Sequence, residues 1–271
     1  MVKRTNMMNI LLRPFLRKTY ENNRIERIWK IAQVDFKRRY YNDILGLLWA
    51  LVNPLSQIAI YYFVFTRIFQ RNRENYALYI FCGLILWIAF SEATRTGSTI
   101  IKRKKYLIEN IQFDWLDLFY SHMISILLGL SFNITAYFFI AYFTGVSLGL
   151  NFHLFPVVLL IWYFISISTA MILSLIRPIF DDIVHVWNIL LMIGFWTSGV
   201  FFDGSFFYDN YTWFMYANPF IGIILNTRAC LLENHAFHVE LLWVNIGYAI
   251  LLFSIALFLF RRNVHRVIEK I

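Results

Sequence analysis

Six apolar runs of roughly 20 residues each dominate this sequence and limit what it can fold into. Such a run, as a helix, crosses the roughly 30 Å hydrocarbon core of a bilayer. Backbone polar groups cannot stay unpaired in lipid, and the runs are too long and lack the alternation for barrel strands. We therefore predict an all-α polytopic membrane protein, with spans at about 47–69, 76–98, 116–145, 153–176, 183–202 and 240–260.

The overall composition excludes an ordinary soluble domain. Hydrophobic residues make up 59% of the chain and charged residues 15%, whereas a soluble domain is nearer half apolar and about a quarter charged. The first apolar run follows a long charged segment, which is the wrong order for a cleavable signal peptide. Cys82 and Cys230 are too few to indicate a disulfide framework.

The basic residues are distributed unevenly between the two sides of these spans. With the N-terminus in the cytoplasm, the segments 1–46, about 99–115, 177–182 and 261–271 are cytoplasmic and contain 20 of the 25 Lys and Arg residues. Cytoplasmic loops are enriched in these residues. We therefore predict that both termini are cytoplasmic and that 47–260 is the membrane domain. Attraction to anionic membrane lipid accounts for the net charge of +9 without a nucleic-acid partner.

The cytoplasmic segment 1–46 is predicted to contain a basic arm and then an amphipathic helix. Apolar residues recur at helical spacing between 24 and 41, at Ile25, Trp29, Ala32, Phe36 and Tyr40. Such a helix lies in the membrane interface with its apolar side toward the acyl chains. Packing on a partner protein is a compatible alternative. We predict an interface helix whose important residues are Ile25, Trp29, Phe36, Arg39 and Tyr40.

The first span carries a row of polar and aromatic residues on one helical face, namely Trp49, Asn53, Gln57 and Tyr61. Polar amides at membrane depth are unfavourable toward lipid, so they face protein or a wet cavity. The row therefore indicates either a pore lining or hydrogen bonds between helices. Acidic and basic residues are nearly missing from the span interiors, which argues against a carrier driven by protons or sodium.

A strongly basic segment separates the second and third spans. It is predicted to be a short cytoplasmic helix or loop that contains Lys102, Arg103, Lys104, Lys105, Leu107, Ile108, Glu109 and Asn110. Its charge is explained equally well as a topology determinant or as a docking element for a cytoplasmic subunit.

The segment 203–239 is an extracytoplasmic loop that remains rich in aromatic and apolar residues. A connection of this length without secondary structure is unusual, and its apolar runs are too short to span. We therefore predict one or two re-entrant or surface helices before the last span.

Sequence motifs for catalysis and metal binding are missing. The chain has no phosphate-binding loop, no zinc-type Cys/His spacing and no Gly-x-Ser-x-Gly elbow. Asp181, Asp182 and His185 share one short turn, which is weak support for a metal site. We therefore predict no catalytic residue, no metal and no cofactor in this chain, so that energy for any transport comes from another subunit.

Several short motifs resemble one family of transport proteins. The residues Phe36 to Tyr40 (FKRRY) and Leu45 to Pro54 (LGLLWALVNP) resemble the start of the permease subunits of type 2 ABC exporters, in the branch that exports O-antigen, capsule or teichoic acid. The motifs that follow in the same order are Gly83 to Trp87 with Phe90-Ser91, Leu107 to Asn110 with Phe113, Asp182-Ile183, and Asn218-Pro219.

The resemblance implies a homodimeric pore in the bacterial cytoplasmic (inner) membrane, completed by two copies of a nucleotide-binding subunit that binds ATP and Mg²⁺. The residues of the 99–115 segment would couple ATP hydrolysis to the movement of an undecaprenyl-linked polysaccharide. On this interpretation the channel is lined by Trp49, Asn53, Gln57, Tyr61, Asn188, Met192 and Trp196.

Two alternatives remain open at this point. A type 2 ABC permease for small hydrophobic compounds would share the topology and differ in pore width. An integral-membrane enzyme acting on lipid-linked sugars would need clustered acids or histidines, for which Asp181, Asp182 and His185 are the candidates.

Overall fold

A computed structural model of the chain describes residues 23–40, 46–70, 75–111, 114–202, 206, 211–232 and 235–269. Side chains are described in these ranges except at 108–111, 265, 266, 268 and 269. The basic arm at 1–22, Leu45, Phe113 and the side chains of Ile108, Glu109 and Asn110 therefore lie outside what is described.

The described backbone consists of α-helices, short helical turns and connecting segments, without a strand, so the predicted all-α class is confirmed. The helices are α1 (Arg24–Tyr40), α2 (Trp49–Phe63), α3 (Tyr76–Gly97), α4 (Ile100–Ile111), α5 (Trp115–Thr144), α6 (Phe155–Ile176), α7 (Ile183–Thr197), α8 (Thr212–Ala217), α9 (Pro219–Leu231) and α10 (Val239–Glu269). Turns of 3₁₀-helix precede α2 at Gly46–Leu48 and α6 at Phe152–Leu154, and a π-helical turn follows α2 at Val64–Ile68.

Five helical stretches in the described part of the chain are long and apolar enough to cross a membrane: Gly46–Ile68, Tyr76–Gly97, Trp115–Thr144, Phe152–Ile176 and Val239–Val264. The first four agree with the predicted spans to within one residue at each end. The last helix continues to Glu269, so residues predicted as a separate cytoplasmic tail extend α10.

The predicted fifth span, 183–202, is shorter than expected. Helix α7 has 15 residues, or about 22 Å of helix, which falls short of the roughly 30 Å hydrocarbon core. It ends before Gly199, whose φ of 86° is a left-handed conformation that terminates a helix. Val200 and Phe201 then turn into the protein core. The six-span count and the orientation of the chain stay predictions.

Helix α3 is the centre of the bundle, in contact with α2, α5, α6, α7 and α9. Most of its side chains are buried, as expected for a helix that is apolar on every side. The indole N–H of Trp162 in α6 donates a hydrogen bond to the Leu86 carbonyl of α3 over 3.1 Å. Helix α6 also packs along α10.

Two short helices, α8 and α9, lie in the segment 203–239, as predicted for this loop. Asn218 caps α9, because its side-chain oxygen accepts a hydrogen bond from the Phe220 amide over 3.1 Å. Every residue from Phe220 to Leu231 is buried, and α9 packs against α3, α6 and α10. The loop therefore folds back into the bundle instead of covering its surface.

Candidate functional site

Two adjoining cavities open between α1 and the membrane helices. The first, which we call the amide cavity, has a volume of about 450 Å³ and polar walls formed by Arg39, Tyr40, Trp49, Asn53, Glu92 and Asn133. The second, the charged cavity, has a volume of about 360 Å³ and is lined by Asp35, Arg38, Arg39, Glu92, Thr96, Arg103, Lys104 and His122. Arg39 and Glu92 line both cavities and form the wall between them.

The amide cavity takes residues from the start of α2. Trp49 and Asn53, one turn apart on the same face, are both exposed toward it. Across the cavity, the Asn133 side-chain nitrogen of α5 donates to the Gly129 carbonyl over 3.1 Å, whereas its buried side-chain oxygen has no hydrogen-bond partner in the described structure. That oxygen is an available acceptor, and the remaining wall is apolar, with Ile85 and Leu130.

An ion pair between α1 and α3 divides the two cavities. Arg39 Nε lies 2.8 Å from Glu92 Oε1, and both side chains are largely shielded from solvent. Burial raises the pKa of the neighbouring Tyr40 phenol, and the Glu92 charge raises it further. Tyr40 therefore stays neutral at physiological pH and can donate or accept a hydrogen bond in the amide cavity.

A second ion pair lies inside the charged cavity, between Lys104 of α4 and Asp35 of α1. Burial lowers the pKa of Lys104, and the Asp35 carboxylate opposes that shift. On the α5 wall, His122 Nε2 lies 3.0 Å from the Ala93 carbonyl oxygen and 3.3 Å from Thr96 Oγ1. The cavity is thus a polar, charged space at the junction of α1, α3, α4 and α5.

The structure places the predicted lining residues in different surroundings. Trp49 and Asn53 line the amide cavity, whereas Tyr61 lies farther along α2, its ring centroid 5.7 Å from that of Phe195 in α7. Gln57 and Asn188 are half-buried. Met192 and Trp196 are 62% and 51% exposed on the outer face of α7. One chain therefore does not bring all seven residues to a single cavity.

The basic segment forms helix α4, and its cations do not share one face. Lys102 is exposed, with Nζ 3.9 Å from Asp181 Oδ1, whereas Lys104 points into the charged cavity. Tyr106, which is not among the predicted coupling residues, is 71% exposed, and Leu107 is half-buried. Asp181 and Asp182 are exposed on the turn before α7, and His185 is exposed in the first turn of α7.

The acids within the membrane helices were the main feature that sequence reasoning missed. Glu92 and Asp117 interrupt the apolar runs of α3 and α5, and each pairs with an arginine of α1. Arg24 Nη2 lies 2.5 Å from Asp117 Oδ1, and hydrogen bonding to this carboxylate raises the pKa of Arg24. An isolated acid in an apolar run was the available signal, because such residues are retained only when they have a partner or line a cavity.

Comparison with known proteins identifies relatives along most of the chain. The family model described as "ABC-2 type transporter" matches residues 26–229. The chain is 26% identical over 206 residues to the O-antigen export system permease protein RfbA of Myxococcus xanthus, which covers 75% of this chain and 79% of the relative. It is also 23% identical over 251 residues to a protein of the same name from Klebsiella pneumoniae, with 88% and 92% covered.

Proposed function

Because the chain belongs to the ABC-2 type transporter family, as the sequence motifs indicated, we propose that it is the permease subunit of an ATP-driven exporter of lipid-linked polysaccharide. It is a multi-pass membrane protein, and in a bacterial cell its membrane is the cytoplasmic (inner) one. The observation that carries the proposed substrate is that the similarity to O-antigen export permeases extends over most of both chains.

A second copy of the chain is proposed to complete the pathway. Helices α2 and α7 present long exposed apolar faces, with Ile60 and Phe63 on α2 and Ile193 and Trp196 on α7 all more than half exposed. Tyr61 of α2 lies beside Phe195 of α7 and beside Phe201, which follows α7. Paired with the same faces of another copy, α2 and α7 would enclose a channel with an aromatic lining, on whose faces sugar rings can stack.

Helix α4 is proposed to receive the force of a separate ATPase subunit. Its exposed residues include Lys102 and Tyr106, which are available to a cytoplasmic partner. Its inward side is joined to α1 by the pair between Lys104 and Asp35, and α1 is joined to α3 by the pair between Arg39 and Glu92. A displacement of α4 therefore reaches the wall of the amide cavity through two ion pairs. ATP and Mg²⁺ belong to the partner in this scheme.

The proposal is tested in a strain that lacks this chain. We expect the lipid-linked glycan to accumulate inside the cell, and surface glycan to return when the wild-type chain is supplied. Normal surface glycan in the deletion strain would refute the proposal, and resistance to a small hydrophobic compound without any glycan defect would identify a small-molecule permease instead. Full export by the double variant Asp182→Asn, His185→Ala is also expected, because neither group is assigned a chemical role.

The partnership with an ATPase has its own test. The permease is purified with the co-expressed ATPase subunit, and the sequence of residues 102–110 is scrambled in a second preparation. We expect the ATPase to co-purify with the wild-type chain and to be lost from the scrambled one. Retention of the ATPase by a correctly inserted scrambled chain would remove α4 from the docking surface.

A further inference from the structure

Among the described side chains that line the charged cavity, cations outnumber carboxylates. Four cations face two carboxylates in its lining, namely Arg38, Arg39, Arg103 and Lys104 against Asp35 and Glu92. Both carboxylates already take part in ion pairs, Asp35 with Lys104 and Glu92 with Arg39. Arg103 takes part in neither of these ion pairs, so the described lining offers a cation that can face an anion.

Arg103 is the cation best placed to meet such an anion. It is exposed, and its Nη2 donates a hydrogen bond to the Thr96 carbonyl oxygen over 3.4 Å. No carboxylate lies within ion-pair distance of Arg103 in the part of the chain that the structure describes. A guanidinium has five N–H donors in a planar fork that matches phosphate oxygens, so most of the donors of Arg103 remain for a ligand.

The electrostatics of the cavity agree with this assignment. Desolvation lowers the pKa of Arg103; the Asp35 charge opposes that shift, and the neighbouring charges of Arg38 and Arg39 add to it. These cations therefore repel one another at short range. An anion bound between them would offset both the repulsion and the loss of hydration.

The neighbouring amide cavity indicates what kind of molecule carries the anion. It shares Arg39 and Glu92 with the charged cavity and continues along apolar side chains, including Ile85, Ile88 and Leu130. Two adjoining cavities, one lined by cations and one lined by both polar and apolar side chains, fit an amphiphile with an anionic group. A small soluble anion would make no use of the second cavity.

We propose that the charged cavity binds the phosphate group of a lipid, with Arg103 as the principal donor, and that this lipid is the polyprenyl carrier of the exported glycan. The second part rests on the proposed function, because a polyprenyl-linked glycan joins lipid to sugar through phosphate. The shared chemistry is a lipid phosphate, and an anionic phospholipid of the bilayer is the other source. Since Arg103 and Lys104 lie on α4, an occupied cavity contacts the same helix that is proposed to meet the ATPase.

The test measures binding by the detergent-purified complex of the permease with its ATPase. The probes are undecaprenyl diphosphate, the phosphate-free alcohol undecaprenol, and phosphatidylglycerol as the bilayer lipid. The variants are Arg103→Gln and the charge-retaining Arg103→Lys. The matched control is Lys30→Gln, because Lys30 is an exposed cation of α1 that pairs with Glu26 and does not line the cavity.

We expect undecaprenyl diphosphate to bind wild type and Lys30→Gln equally and to bind Arg103→Gln about tenfold more weakly, since a hydrogen bond to a charged group is lost. Arg103→Lys should recover part of the affinity, which shows that the loss is not caused by misfolding. Undecaprenol should bind far more weakly than the diphosphate. Equal binding of undecaprenol, or unchanged affinity of Arg103→Gln, would overturn the phosphate site.

Competition separates the two lipid sources. Phosphatidylglycerol that competes as well as undecaprenyl diphosphate would overturn the assignment to the glycan carrier, whereas weak competition supports it. Surface glycan in cells is measured separately, so the two proposals can fail independently. A chain that exports glycan but binds undecaprenol as tightly as undecaprenyl diphosphate refutes this inference alone. A chain that binds the diphosphate but exports no glycan refutes the proposed function alone.

Discussion

Two arginine-centred networks hold this membrane protein together, and they differ in what surrounds the guanidinium. Arg228 of α9 is fully buried and donates five hydrogen bonds to Tyr79, Gly199, Val200 and Phe202. Its guanidinium carbon lies 3.5 Å from the Tyr79 ring centroid. Arg39 of α1 instead pairs with Glu92 at the border of two cavities.

The difference shows how the same side chain serves two purposes. Arg228 joins the turn after α7 to α3 and α9 through fixed backbone oxygens, and no carboxylate pairs with it in the described residues. Its surroundings are close-packed, because a Cβ on Gly83 of α3 would lie 3.6 Å from Arg228 Nη2 and 3.0 Å from the Ile224 side chain. Arg39 has open volume on both sides. The first network fixes the turn after α7 against α3 and α9, whereas the second lies between two cavities.

The largest expected effect tests the fixed network. Arg228→Gln removes the fork and leaves several buried carbonyls without donors, which should cost about 3 kcal/mol or more of folding free energy. We expect little folded protein in membranes and a markedly lower thermal midpoint in detergent. Arg95→Gln is the control, because Arg95 is exposed near the other end of α3. Equal thermal midpoints for the two variants would show that the hydrogen bonds of Arg228 do not stabilise the fold.

The next effect tests how closely α7 is held to α3. A Cβ on Gly194 of α7 would lie 2.6 Å from the ring of Trp87, whereas nothing lies within 4 Å of a Cβ on Gly247 of α10. Gly194→Ala should therefore destabilise by about 1–3 kcal/mol through overpacking. Gly247→Ala should be neutral or slightly stabilising, since alanine favours a helix over glycine. Thermal midpoints of the two variants provide the measurement, and equal midpoints would contradict the close packing.

A smaller effect on stability, with a larger one on transport, is expected in the Arg39 network. Glu92→Gln keeps the size of the side chain and removes the charge that faces Arg39, so we expect a loss of about 1 kcal/mol, as the pair is partly solvated. Export should fall further than that loss explains, because α1 is no longer joined to α3. A double-mutant cycle with Arg39→Gln measures the coupling energy between the two residues. A coupling energy near zero would mean that the ion pair does not link α1 to α3 energetically.

The smallest structural effect is expected for the exposed aromatic residues of the proposed channel. Trp49→Ala and Trp196→Ala remove side chains that are already exposed, so each variant should insert normally and keep its free energy of unfolding within about 0.5 kcal/mol of wild type. Surface glycan should nevertheless decrease, because stacking surfaces for the sugar are lost. Trp213→Ala on α8 is a comparison at 69% exposure outside the proposed lining. Unchanged export in both channel variants would remove these residues from the pathway.

The sequence by itself determined the membrane class, the bounds of four long helices, the amphipathic helix α1 and the presence of short helices before the last span. These features follow from local physics, because run length and helical periodicity are properties of neighbouring residues. Short motifs also indicated the family, because they follow one another along the chain in the same order as in that family.

Only the tertiary structure decided where the polar residues meet. The pairs of Arg24 with Asp117 and of Arg39 with Glu92 join residues far apart in the chain, and a single sequence holds no periodic signal for such partners. The same holds for Lys104, which a count of charges places among exposed cations and which the packing of α4 against its neighbours turns inward. Helix α7 ends early for a reason that packing supplies, since Arg228 of a later helix binds the carbonyls of the turn that follows it. The burial of a side chain and its ion-pair partner depend on how all the helices pack, whereas hydropathy is a property of each residue alone.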